Sequence, residues 1–269
     1  MSKTYCIVSG CSFTDPFFKS TIYPDYNCNF PKWPEMIDGN WDEVINVSKS
    51  GYANQRILDR ALERVLLDKN VSTCIVALTN WLRFTGPDYL TVNLERSIDE
   101  NFEIPDHLRK HYEKTRALEK LYPTTEKILE LRVNDTMLKL YNLAQICIHK
   151  DIKFIAFQML PHVAGGVYTH KPLGGYNGLK EMCSKHMLNN QFFKHLNRLN
   201  MLNKVDLVNW PFINKLKKCA SREMNDEYYG DPLQVIVGEN DSHPNAKGHQ
   251  WLAAWVMTNS NFLSNTRFL

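Results

Sequence analysis

The chain has 269 residues, 43% of them hydrophobic, with 32 Lys+Arg against 29 Asp+Glu and a formal charge of +3. At about 150 residues per domain this length covers one large or two small domains with ample chain for a core, and the composition excludes disordered and fibrous classes. The small charge surplus argues against nucleic acid as a partner, and no window approaches the roughly 18 uninterrupted apolar residues of a membrane span.

Taken in chain order, the first element is a strand. Lys3 is followed by a short apolar run, Tyr5 to Val8, before Ser9 and Gly10. A secretory signal needs about 7–15 apolar residues and a small-residue cleavage site, so the run reads as a buried strand, Thr4–Ser9. Further strands are predicted at Val44–Val47, Thr73–Thr79, Lys153–Met159 and Val205–Asn209, all short apolar runs of the kind found where both sheet faces are covered. Helices alternate with them. Ala53–Leu67 carries the stripe Ile57, Ala61, Leu62, Val65 and Leu66, and Thr125–His149 carries Ile128, Leu131, Leu138, Tyr141, Ala144 and Ile148. Ala246–Met257 closes the series, with Trp251, Leu252, Trp255 and Val256 inward. The alternation predicts an α/β fold, a parallel sheet wrapped by helices. Residues 81–124 and Pro161–Gly178 are irregular and read as elaborated loops on a single domain spanning 1–269.

Seven cysteines (Cys6, Cys11, Cys28, Cys74, Cys147, Cys183 and Cys219) form an odd, widely spaced set without a CxxC pair. Reduced thiols in a cytoplasm-like compartment account for them, and a zinc cluster is not expected. The chain also lacks GxxxxGK[ST], a strand-linked GxGxxG and HExxH, so neither a metal nor an organic cofactor is expected.

Four segments carry chemistry. The first strand ends in Gly10-Cys11-Ser12-Phe13-Thr14. Ligands of open parallel sheets bind outside the carboxyl ends of the strands, which puts Ser12 at the cleft; Ser12 also suits a plain turn or helix cap. After the second strand come Gly51, where a backbone N–H can approach a ligand unobstructed, and Asn54, which either caps the next helix or points into the cleft. The third strand delivers Asn80, beside Trp81 and Arg83. An Asn amide there can donate to a developing oxyanion, and an Arg can meet an anionic substrate group. Last comes Asn240-Asp241-Ser242-His243-Pro244, read as a loop stiffened by proline, in which a carboxylate can hold the imidazole in one tautomer as a base. His249, farther on, reads as a packing or rim residue.

Ser, Gly, Asn and Asp–His in this order resemble the SGNH (GDSL-like) hydrolase superfamily, in particular its phage and microbial-virus branch. The resemblance implies a three-layer, flavodoxin-like parallel sheet and a serine esterase, with no cofactor. Position by position, Ser12 matches the nucleophile, Gly51 and Asn80 the oxyanion donors of the second and third blocks, and His243 the base. Ser12 would add its own backbone N–H to the oxyanion set. Cys11 stands where the family has Asp, Leu78 and Trp81 flank Asn80 in place of Gly and Asp, and Asn240 occupies the family's acidic position three residues before His. Either Asp241 or Asn240 would then orient His243. The implied substrate is a small-molecule or carbohydrate ester losing a short acyl group. Asn54, Trp81 and Arg83 are candidate contacts, and Trp33, Tyr89, Tyr168 and Tyr176 are rings able to stack on sugars. A catalytically degenerate carbohydrate-binding or virion component on the same fold is the alternative, and a thiol enzyme using Cys11 is a third. The location expected is cytoplasmic or virion-associated, and the oligomeric state is left open.

Overall fold

All five predicted strands join one parallel sheet. The computed structural model describes residues 3–81, 83–85, 91–93, 125–160, 177–209 and 219–263. In chain order, its first half runs β1 (Tyr5–Ser9), α1 (Trp33–Met36), β2 (Glu43–Asn46), α2 (Asn54–Leu67), β3 (Val71–Leu78), β4 (Arg83–Thr85) and β5 (Thr91–Asn93). Then follow α3 (Thr125–His149), β6 (Lys153–Gln158), α4 (Asn177–Asn189), α5 (Gln191–Met201), β7 (Asp206–Leu207), α6 (Ala220–Glu227), β8 (Ile236–Gly238), β9 (Asp241–Pro244) and α7 (Ala246–Asn259).

The main sheet has the order β2-β1-β3-β6-β7, with every pair parallel. This is the flavodoxin-like order, whose ligands sit beyond the carboxyl ends of the strands near β1 and β3. Ile7 lies between Ile45 and Cys74 in register, and Ile75 pairs with Ile155. Cys6–Ser9, Thr73–Leu78 and Phe154–Gln158 are buried along their whole length, so the central strands read as continuous apolar runs. α2 packs on β1 and β3 and against α3, which in turn contacts α4 and α5. On the other side α1 and α6 pack on α7, and Phe157 of β6 meets both Trp33 and Trp255, at ring-centroid distances of 5.6 and 5.5 Å.

Several expectations shift. β7 is only two residues long, because Asn209 turns to a left-handed φ of 58°. Along α3 the core face is Leu129, Val133, Met137, Leu140, Ala144 and Cys147, whereas Leu131 and Leu138, expected inward, are 41% and 39% exposed. Apolar residues surround this helix on most sides, so their spacing alone does not set its phase. α4, α5 and α6 fall where no helix was anticipated. The Asp-x-His segment is strand β9, paired antiparallel with β8, rather than a loop. The loop expected at 81–124 contains the β4–β5 hairpin; most of it, and all but the end of Pro161–Gly178, lies outside the described residues. No described helix is long and apolar enough to cross a membrane.

Candidate active site

β1 ends at Ser9, and the chain turns at once: the Thr14 and Asp15 backbone N–H groups both donate to the Cys11 carbonyl, at 2.9 and 3.0 Å. A Cβ on Gly10 would stand 2.4 Å from Thr14 Oγ1, so the turn closes only with glycine there. It presents Ser12, which is 7% exposed, to His243 on β9. Ser12 Oγ lies 2.8 Å from His243 Nε2, and Nδ1 of the same ring lies 2.5 Å from Asp241 Oδ1.

The surroundings hold this chain of contacts on every side. Asp241 Oδ1 also accepts the His243 backbone N–H at 3.1 Å, while Oδ2 accepts the hydroxyl of Ser20. Ser20 Oγ is itself fixed by the Tyr23 N–H at 2.8 Å. The imidazole is stacked on Phe18, with ring centroids 4.2 Å apart and planes at 28°, and the Phe13 ring, tilted by 42°, has its centroid 5.0 Å away. Burial raises the Asp241 carboxyl, but hydrogen bonds from His243 and Ser20 and the charge of His243 outweigh it and hold the group below its ordinary value. The carboxylate is 3% exposed and the imidazole 27%, so one end of this chain of contacts is dry and the other reaches solvent.

The remaining predicted positions follow the two strands on either side of β1. Gly51 follows β2 with a φ of +84° and open space around its missing Cβ, so backbone conformation rather than crowding demands glycine. The loop that carries it is tied to the Ser12 turn by Asp15, whose Oδ2 accepts both the N–H and the hydroxyl of Ser50 at 2.7 and 2.6 Å. The Lys49 N–H donates to the Gly10 carbonyl at 3.3 Å. Asn80, 2% exposed, lies two residues beyond β3 on the opposite flank of β1. Asn54 belongs neither to the cleft nor to the helix cap, which corrects both expectations. Its Oδ1 accepts the Thr79 N–H at 2.7 Å and its Nδ2 donates to the Thr79 carbonyl at 3.1 Å, so it braces the turn before Asn80. Gln158 Nε2 donates to the same carbonyl at 2.7 Å.

Two aromatic expectations are corrected as well. Trp81 is 2% exposed with its indole N–H on Gln158, and Trp33 is fully buried with its indole N–H on Thr14. Both are core residues without a face for a sugar; Tyr89, Tyr168 and Tyr176 lie outside the described residues. Arg83 is half-buried at the start of β4, its backbone N–H donating to the Asn80 carbonyl at 3.3 Å. Cys11 is fully buried, which removes the access a thiol nucleophile needs, and all seven cysteines are unpaired. Among the described residues no group of three or more His, Cys, Asp or Glu is placed to hold a metal ion.

Ser20, Asp15 and Phe18 were not anticipated, and only their proximity to Ser12 in the chain could have pointed to them. Beneath the site lie two further buried ionisable groups. Lys32 Nζ donates to the Cys28 and Phe30 carbonyls at 2.6 and 3.1 Å, and burial lowers its pKa despite nearby acidic groups. His249 is a packing residue, 1% exposed, whose Nδ1 accepts the Trp33 backbone N–H at 3.3 Å.

No family model matches the chain, and no curated protein matches it. Among solved structures it is similar to a member of the lipolytic protein G-D-S-L family from Veillonella parvula, at 11% identity and a TM-score of 0.44 over 98% of this chain and 100% of that one. Protein YxiM of Bacillus subtilis is similar at 14% identity and a TM-score of 0.44, over 96% of this chain and 56% of that one. The fold is assigned from strand order and register: a five-stranded parallel sheet between helices, in the order that the SGNH resemblance implies.

Proposed function

We propose that the protein is a serine ester hydrolase of SGNH type that works through an acyl-enzyme. The observation that carries this reading is the unbroken contact from Ser12 Oγ through both nitrogens of His243 to the buried carboxylate of Asp241. His243 Nε2 removes the Ser12 proton as Oγ attacks the ester carbonyl, and Asp241 keeps Nδ1 protonated and balances the charge that forms on the ring. The tetrahedral oxyanion is received by the backbone N–H groups of Ser12 and Gly51 and by the Asn80 side-chain amide. Collapse returns the proton from Nε2 to the leaving alcohol, and water then releases the acid by the same steps. No metal or organic cofactor takes part.

The preferred acyl group is short, acetyl above all, and the acceptor is a carbohydrate or another small alcohol. Active-site labelling with a fluorophosphonate probe, together with hydrolysis of p-nitrophenyl acetate, tests the mechanism. The wild-type protein is labelled and active, and Ser12→Ala is neither. Equal hydrolysis by the two proteins would refute the mechanism, and a folded wild-type protein that takes no label would favour the non-catalytic binding reading.

A further inference from the structure

We propose that the pocket beside Phe18 is the subsite for the leaving alcohol, shaped for a single hydroxylated ring of pyranose size; this rests on the esterase reading above. Phe18 ties the pocket to the chemistry. Its ring is stacked on His243 at 4.2 Å and also forms one wall of the pocket. The leaving oxygen takes its proton from His243 Nε2, so the alcohol must depart on the imidazole side of Ser12. Phe18, 6% exposed, is the wall that the pocket shares with the imidazole, so a ring carried on that oxygen is assigned to the pocket side of Phe18 and the acyl group to the side of the oxyanion donors that follow β2 and β3.

The walls state the chemistry of the occupant. Phe17, Phe18 and Phe30 form them together with Pro16, Pro31 and Cys28, while Asn29, Glu35 and Lys19 bring an amide, a carboxyl group and an ammonium group; Lys32 Nζ lies 3.9 Å over the Phe30 ring, so Phe17 and Phe18 carry the apolar contact. Phe17 is 86% exposed, yet its backbone N–H is held by Asp15 Oδ1 at 2.9 Å, so a well-anchored segment presents this apolar ring to water. An exposed Phe ring forgoes the stabilisation of burial, and covering it with a ligand recovers part of that. The cavity, about 240 Å³, is smaller than the roughly 300–1,000 Å³ of sites that enclose drug-sized ligands, which limits it to one ring. A pyranose offers an apolar C–H face for the phenyl groups and a hydroxylated rim for Asn29 and Glu35. A plain aryl alcohol satisfies the first and offers nothing to the Asn29 amide or to the Glu35 oxygen that the Lys32 N–H does not already occupy.

The test compares kcat/KM for methyl 6-O-acetyl-glucopyranoside, benzyl acetate and ethyl acetate in the wild-type protein, in Phe17→Ala, which removes the exposed wall, and in Asn29→Trp, which fills the cavity from an exposed position. The wild-type protein prefers the sugar ester to ethyl acetate by about tenfold or more, and in both variants that ratio falls towards one. A ratio near one in the wild-type protein, a ratio that neither variant changes, or a preference for benzyl acetate over the sugar ester overturns the subsite. Fluorophosphonate labelling of Ser12 separates the two levels. A labelled protein without the alcohol preference loses only the subsite, and an unlabelled one loses the esterase reading and the subsite with it.

Discussion

Replacing His249 by Gln removes a group whose burial ties stability to pH. The ring lies inside α7, 1% exposed; burial, with the charges of Lys32 and His243, lowers its pKa from 6.5 to about 3. In the unfolded chain the imidazole titrates near its ordinary value of about 6.5. Between these two values the unfolded chain binds a proton that the folded protein refuses. Stability from this group is therefore complete above the unfolded pKa and is lost as pH falls towards the folded one. At about 1.4 kcal/mol per pH unit, acidification from pH 7 to pH 4 destabilises the fold by about 3 kcal/mol through this ring alone. Urea titrations of both proteins at those two pH values measure the effect. Gln keeps a carbonyl that can accept the Trp33 N–H and does not titrate. Whatever its stability at pH 7, its further loss at pH 4 is about 3 kcal/mol smaller than that of the parent protein. Parallel pH dependences in the two proteins would refute the argument.

Two substitutions test the relay and the oxyanion set. Ser20→Ala removes a hydrogen bond to a carboxylate, worth about 1.5–3 kcal/mol, so the Asp241 carboxyl rises and the acidic limb of the kcat profile moves to higher pH. We expect kcat to fall about tenfold with KM unchanged and Ser20→Thr to restore it; a pH profile superimposable on that of the wild-type protein would remove Ser20 from any positioning role. Asn80→Ala lowers kcat on p-nitrophenyl acetate by about 10²–10³ while the far-UV circular dichroism is retained, and a loss under about threefold excludes Asn80 as an oxyanion donor.

The central strands were legible because β1, β3 and β6 are covered on both faces and show as unbroken apolar runs. α3 was legible in its bounds and not in its phase, since Leu131 and Leu138 are as apolar as the residues that face the core. The hairpin β8–β9 was missed because its strands are three and four residues long and shift register between Ile236 and Gly238, too short and irregular for an alternating pattern. Asp241 and His243 were picked out by their two-residue spacing and the proline that follows, and Ser12 by its place after the first strand together with the SGNH resemblance. Ser20 has no such pattern, as its partner lies 221 positions away. Trp33 and Trp81 were misjudged for a related reason: an aromatic residue in an irregular stretch says nothing about which side of it faces water.

The strand geometry of β9 explains how a carboxylate two residues before His243 reaches its Nδ1, where the SGNH resemblance has one three residues before. In an extended chain, residues i and i+2 project from the same face, so Asp241 and His243 stand side by side while Ser242 points the other way. The short reach lets Oδ1 take both the backbone N–H and Nδ1 of His243. That leaves Oδ2 turned towards the segment after Ser12, where Ser20 meets it. Asn240, at the family's acidic position, is exposed and has no part in this arrangement. A spacing of two therefore works only while the segment stays extended, and pairing of Gly238 with Asp241 and of Ile236 with Pro244 is what keeps it so. The hairpin that the sequence concealed is thus the element on which the relay's geometry depends.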